Sequence, residues 1–220
     1  MKVLVACEES QRVCTAFREK GHEAYSCAII DCSGGHNEWH IKQDVLPLLN
    51  GNCTFKTCDG IEHTIDGKWD LLIAHPPCTY LTNAGARHLW RDHQLNEERY
   101  KKGMAAKEFF MRFINADCEH IAVENPVPSK IYELPKYKQI IEPYMFGHPA
   151  TKKTCLWLKG LDPLKETNNI GRPEKVYFTQ KNGNVRTMCW EMAQKGGKNR
   201  AKERSKTFEG IAKAMAEQWG

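Results

Sequence analysis

The sequence predicts an α/β fold: a mostly parallel sheet with helices on both faces. Three observations lead there. The chain opens strand–helix–strand, and a short helical crossover between two apolar strands makes a parallel pair. Two further apolar runs, residues 69–74 and 121–124, each end at proline: Pro76-Pro77 after the first, Pro126 after the second. Between them lies a long stretch whose apolar residues recur at helical spacing.

The elements follow in order. Residues 2–7 form an apolar opening strand, and Glu8-Glu9-Ser10-Gln11 is the turn after it. Residues 13–20 read as a helix with Val13, Ala16 and Phe17 on one face, closed by Gly21. Residues 23–30 are the second strand, ended by the turn residues 31–35. Gln43-Asp44-Val45 carries a short third strand or its exit loop. Residues 50–67 are polar and glycine-containing, a loop or a hairpin insertion. Residues 69–74 are the fourth strand and 87–94 a charged connector. Residues 97–116 read as a strong helix through Tyr100, Met104, Lys107, Phe110, Met111 and Ile114. Residues 121–124 are the next strand, after which Pro126, Pro128 and Pro135 keep the chain irregular. Residues 153–158 read as a strand in an antiparallel hairpin with a neighbour. Residues 168–197 are turn-rich and polar. Residues 208–219 form an amphipathic helix with Ile211, Met215 and Trp219 on one stripe.

At 220 residues the chain can bury a proper core, as one domain with a small appendage. A hydrophobic fraction of 41% and an aromatic fraction of 10% exclude a disordered chain. The net charge of +5 is compatible with an anionic partner such as nucleic acid or nucleotide. The 10 cysteines contain no CxxC pair, so they read as mostly reduced, small core residues rather than zinc knuckles, and no metal site is assigned. Met1-Lys2 runs straight into Val3-Leu4-Val5-Ala6 with no signal peptide. No apolar run approaches the roughly 20 residues that span a bilayer. A cytoplasmic protein without a membrane partner is expected.

Chemistry in open α/β sheets sits at the carboxyl ends of the strands. There the fourth strand delivers Cys78. A cysteine after a strand is either a core thiol or a nucleophile. Pro76 and Pro77 fix the backbone entering the loop, and Thr79, Tyr80, Thr82 and Asn83 suit a ligand better than a core, which favours the nucleophile. The next strand delivers Glu124. Burial would raise its pKa and keep it protonated near neutrality, as a donor or proton source; the alternative is a salt bridge to a lysine. Glu8-Glu9-Ser10 occupies the first βα turn without a glycine, a poor phosphate cradle. Its acids suit a ligand carrying an ammonium or sulfonium, or serve as ordinary helix-dipole partners.

The order Cys7-Glu8-Glu9-Ser10, Gln43-Asp44-Val45, Pro76-Pro77-Cys78, Val123-Glu124-Asn125-Pro126 resembles the DNA cytosine-5 methyltransferases, most closely their short phage- and prophage-encoded members. The resemblance spans residues 2–158 and the final helix. It implies a Rossmann-like class I methyltransferase fold, S-adenosyl-L-methionine as methyl donor, and DNA as substrate. It implies that Cys78 adds to carbon 6 of cytosine, making carbon 5 nucleophilic, while Glu124 holds the nitrogen 3 edge. A duplex would present its base flipped out. Cys7, Glu8, Glu9, Ser10, Asp31, Asp44 and Pro76 would meet the cofactor. Thr79, Tyr80, Asn125 and Lys152 would meet the substrate. Lys153 would be a third catalytic residue, because Thr151-Lys152-Lys153-Thr154 stands where the family has a pyrimidine-touching arginine.

The chain also departs from that family. The first turn lacks glycine. The acid that holds the cofactor ribose falls on Ala28, with Asp31 three residues on as a substitute. The family's target-recognition domain is missing. The division expected is a catalytic domain over 1–160, a small basic substrate-facing segment over 161–206, and a C-terminal helix over 207–220 packing back on the catalytic domain. The basic run Lys195, Lys198, Arg200, Lys202, Arg204, Lys206 would clamp phosphates or form a solvated face. Arg204-Ser205-Lys206-Thr207 resembles the place where the family's last motif returns to the cofactor. Three other readings remain: the same chemistry on a free cytidine nucleotide, an amino-group methyltransferase, and an inactive methyltransferase-like module that binds nucleic acid. The second is disfavoured because His75-Pro76-Pro77-Cys78 lacks the acid or amide and the aromatic of that loop. A thymidylate-synthase-like enzyme does not suit the opening βαβ pattern.

Overall fold

The computed structural model describes residues 1–220 apart from 87, 92, 180–182, 184 and 190–204. The chain alternates strand and helix from its start: β1 (Lys2–Ala6), α1 (Arg12–Glu19), β2 (Glu23–Ala28) and β3 (His40–Lys42). The hairpin β4 (Cys53–Lys56) and β5 (Glu62–Ile65) precedes β6 (Leu71–Ala74). The one-turn α2 (Asn83–Ala86) and two short paired strands, β7 (Trp90–Arg91) and β8 (Gln94–Leu95), lead into α3 (Glu97–Ile114). Then come β9 (His120–Pro126), β10 (Gln139–Ile141) and β11 (Thr154–Lys159). The hairpin β12 (Lys175–Thr179) and β13 (Val185–Cys189) and the final α4 (Glu209–Trp219) complete the described elements.

Seven strands form one sheet in the order β10-β11-β9-β6-β1-β2-β3. Neighbours from β3 to β9 pair in parallel, and β11 runs antiparallel to both β9 and β10. This is the Rossmann-like α/β arrangement that the sequence predicts. The winding reverses between β1 and β6, and that switch point opens a crevice at the strands' carboxyl ends.

Alternation along the strands splits the core in two. Val3, Val5, Leu71, Ile73 and Ala122 pack under α1 and α4 with Phe17, Met215 and Trp219. Leu4, Ala6, Leu72, Ala74, Ile121 and Val123 pack under α3 with Phe110 and Phe113. Both faces are covered, which is why β1 and β6 read as unbroken apolar runs rather than alternating ones. The start of α3 is set by Asn96, whose side-chain oxygen accepts the Arg99 N–H at 3.0 Å, with Glu97 and Glu98 favourably placed in the first turn.

The structure decides between the alternatives left open for two segments and departs from expectation in others. Gln43-Asp44-Val45 is the exit loop of β3, which ends at Lys42. The insertion over 50–67 is a hairpin, and the connector over 87–94 contains the β7–β8 pair. The segment read as turn-rich carries β12 and β13, paired Lys175↔Cys189 through Thr179↔Val185. Cysteine burial is lower than expected: Cys14, Cys27, Cys118 and Cys155 are buried, whereas Cys58 and Cys78 are exposed. No disulfide joins the described cysteines. Of the basic run, only Lys206 lies within the described residues. No helix among the described residues is long and apolar enough to cross a membrane.

Candidate active site

One row of residues crosses the middle of the sheet: Cys27, Ala6, Ala74 and Val123 on β2, β1, β6 and β9. The next residue on each strand is Ala28, Cys7, His75 and Glu124. These four therefore stand side by side at the carboxyl edge, a consequence of register alone. Cys7, His75 and Glu124 line one cleft of about 350 Å³, together with Glu8, Glu9, Ser10, Pro76, Cys78, Asn125 and Lys152. Ser205, Lys206 and Thr207, just before α4, close its far wall.

Cys78 is exposed and enters this cleft from the loop after β6. Three contacts tie that loop to the chain leaving β9. Asn125 donates its side-chain N–H to the Pro76 carbonyl at 2.9 Å. The Ser129 N–H donates to the Leu81 carbonyl at 2.7 Å. Thr82 and Pro128 form an isolated bridge. From the other side, Arg99 of α3 donates to the Gly85 carbonyl at 3.0 Å and lies over the Tyr80 ring, 5.1 Å from its centroid. The thiol and the carboxylate thus share a cleft because the Cys78 loop is bonded to the end of β9 and the chain that follows it. Asn125 is 1% exposed, and its Oδ1 has no hydrogen-bond partner among the described residues. A buried acceptor of this kind is costly unless a donor meets it.

Glu124 is nearly enclosed, its side chain 13% exposed and that of His75 10%. His75 Nδ1 donates to Glu124 Oε2 at 2.9 Å. Burial would push the Glu124 carboxyl upward, but the Lys152 charge, the His75 bond and charge, and Thr154 outweigh it and hold the carboxyl below its ordinary range. The expectation of a protonated Glu124 near neutrality is therefore corrected: two basic neighbours override desolvation. Of the two lysines predicted at the site, Lys152 faces the cleft, whereas Lys153 is exposed outside it.

The first turn explains its lack of glycine. Glu8 folds back, and its carboxylate accepts the N–H groups of Val13 at 2.7 Å and Cys14 at 3.1 Å. The anion seat at the start of α1 is filled by the chain's own acid, so no phosphate cradle is needed. Burial pushes the Glu8 carboxyl above its ordinary range, against the pull of His75 and of these N–H groups. Cys7 and Gln11 bound the turn in left-handed conformation, with φ 59° and 58°. Gln11 is held there by its side chain, which donates to the His36 carbonyl at 2.7 Å and accepts the His36 N–H at 3.0 Å. Burial, with Cys27 and Asp44 beside it, pushes the Cys7 thiol up to about 12, so this cysteine is no thiolate.

A second cavity of about 240 Å³ adjoins the first, sharing Cys7, Glu9 and Pro77 with it. Ala28, Ile29, Ile30, Val45 and Phe109 make it apolar, and Glu9 and Asp44 supply acids at its edge. Asp31 lines neither cavity; it is exposed and ion-paired with Lys42 at 2.8 Å. Thr79 and Tyr80 also lie outside both, Thr79 facing solvent.

The sequence reading gave His75 no role of its own. The available signal was a titratable residue directly after an apolar run, Leu71-Leu72-Ile73-Ala74, one strand away from Glu124 after Ile121-Ala122-Val123. No protein-family model matches the chain, and no curated protein does. Among solved structures the chain is similar to the methyltransferase EhMeth of Entamoeba histolytica. That match has 10% identity and a TM-score of 0.41 and covers 80% of this chain and 58% of that one. It is also similar to an rRNA methylase from Escherichia coli at 16% identity and a TM-score of 0.32, covering 72% of this chain and 56% of that one. The chain thus spans little more than half the length of each.

Proposed function

We propose that this protein is an S-adenosyl-L-methionine-dependent methyltransferase acting on carbon 5 of cytosine, in DNA. The observation that carries the reading is that Cys78 and Glu124 line the same cleft. The residues fit the methyl donor as well. An apolar cavity lined also by Glu9 and Asp44 suits a purine nucleoside, and it shares Cys7, Glu9 and Pro77 with the Cys78 cleft. Glu9 and Asp44 would hold the ribose and the adenine amine in place of the absent acid at Ala28. S-adenosyl-L-methionine, when bound, supplies an electrophilic methyl group.

The chain's own residues do the rest. Cytosine carbon 5 is too poor a nucleophile alone, so the Cys78 thiolate adds to carbon 6 and raises the electron density at carbon 5. Glu124 accepts from the exocyclic amine and manages the proton at nitrogen 3. Lys152 holds Glu124 ionised between turnovers. Pro76 and Pro77 keep the thiol in place at low entropic cost.

Cys78→Ser is expected to abolish methyl transfer to DNA and to leave the melting curve unchanged. Tritiated-methyl transfer reads the first and circular dichroism the second. Full residual transfer would refute the covalent role. The same assay with free cytidine nucleotide decides between polymer and monomer.

A further inference from the structure

We propose that His75 is the proton carrier of the site, loading Glu124 with the proton that nitrogen 3 of the pyrimidine takes when Cys78 adds. This rests on the proposed function and goes beyond it, because it names the group that supplies the acid.

Glu124 lacks a proton to give. Lys152 and His75 hold its carboxyl in the ionised range, so it does not bring a proton of its own. The ring still needs one. Attack of the thiolate forms the sulfur–carbon 6 bond. The carbon 5–carbon 6 π pair moves to the carbon 4–carbon 5 position, and the carbon 4–nitrogen 3 pair moves onto nitrogen 3, which must be protonated. His75 Nδ1 stands 2.9 Å from Glu124 Oε2, in a pair shielded from water. An imidazole is the side chain that can hold and release a proton near neutral pH. A proton passing from Nδ1 to the carboxylate, as the carboxylate hands one to nitrogen 3, balances the step. The imidazolium becomes neutral imidazole, Glu124 ends ionised as it began, and the thiolate charge is cancelled. Expulsion of the thiolate reverses every transfer.

The charged groups around the pair are accounted for. Glu8, from the turn after β1, acts on His75 electrostatically. Cys7 and Glu9 of the same turn, Cys78 of His75's own loop, and Lys206 before α4 share the cleft. Lys152, before β11, acts on Glu124. Nε2 of His75 is buried without a hydrogen-bond partner among the described residues, so no donor–acceptor bond competes for the ring.

The test needs no methyl donor. Addition of the thiol lets carbon 5 take a proton from water and lose its own, so DNA and deoxycytidine monophosphate tritiated at carbon 5 release tritium. The full chain is expected to release it, with a rate that falls as rising pH takes the proton from His75. His75→Asn keeps a donor near Glu124 but carries no titratable proton. It is expected to slow release by about 10²-fold, to remove that pH limb, and to leave KM nearly unchanged. An unchanged rate and pH profile would overturn the inference alone. No release by the unaltered protein from either substrate would overturn the proposed function and the inference with it. Should His75→Asn not fold, nitrogen NMR of the unaltered protein decides. His75 must pass from imidazolium to neutral imidazole when, with no methyl donor present, the thiol adds to 5-fluorocytosine DNA and carbon 5 is still unsubstituted; an unchanged ionisation state in that adduct sinks the proposal.

Discussion

Two carboxylates at this site respond to their surroundings in opposite directions. Glu124 is held below its ordinary range, so its contribution to stability is complete above that range and is lost as pH falls through its lowered value. Glu8 is held above its range, so its contribution is complete at low pH and is lost as pH rises through its raised value. Glu124→Gln is therefore expected to cost about 1.5–3 kcal/mol at neutral pH, the range for a hydrogen bond to a charged group, and much less once the pH is taken below the lowered value of the carboxyl, where the carboxylate is neutralised. Urea unfolding at both pH values checks this; equal losses would mean that charge is not the cause. The sequence showed both acids and their strand ends. It did not show the sign of either shift, because sign depends on the partners that register brings alongside. His75 and Lys152 lie far from Glu124 in sequence and reach it only across three strands.

Among the elements, α3 carries a glycine where a helix would prefer almost any other residue. A Cβ at Gly103 would run into the Tyr132 ring and its Oη, on the chain that follows β9. Tyr132 is 1% exposed, so its ring has no easy retreat. Gly103→Ala would gain about 1 kcal/mol of helix propensity and lose about 1–3 kcal/mol to overpacking. Thermal melting is expected to show net destabilisation; a more stable variant would mean that Tyr132 gives way. The elements legible in the sequence were those with a strong period or an apolar run: β1, α1, β2, β6, α3, β9, β11 and α4. Those missed are short and partner-dependent. β10 has only Gln139, Ile140 and Ile141 and exists because β11 pairs with it. β12 and β13 pair mainly with each other, so Lys175–Thr179 offers only a weak alternation.

At the scale of the whole molecule, the net charge of +5 makes a prediction about the substrate. If the natural ligand is a polymer, its affinity must fall steeply with salt, with a slope of about −0.9 per phosphate neutralised on duplex DNA. Free nucleotide has few phosphates and should show a shallow dependence. Filter binding between about 50 and 200 mM salt separates the two, and equal slopes would remove the charge argument for DNA. The cleft is also built from distant parts of the chain. Its floor comes from β1, β6 and β9, but its far wall is Ser205, Lys206 and Thr207, fastened where Arg12 donates to the Thr207 carbonyl at 2.8 Å. Behind that wall, α4 covers Val13 and Phe17 with Ile211, Met215 and Trp219. During synthesis α4 leaves the ribosome after every other element described here, so the nascent chain carries the β1–α1 unit with its greasy side bare until then. Translation thereby sets an order: the last wall of the thiol pocket emerges just ahead of α4 and gains its apolar backing only once that helix follows.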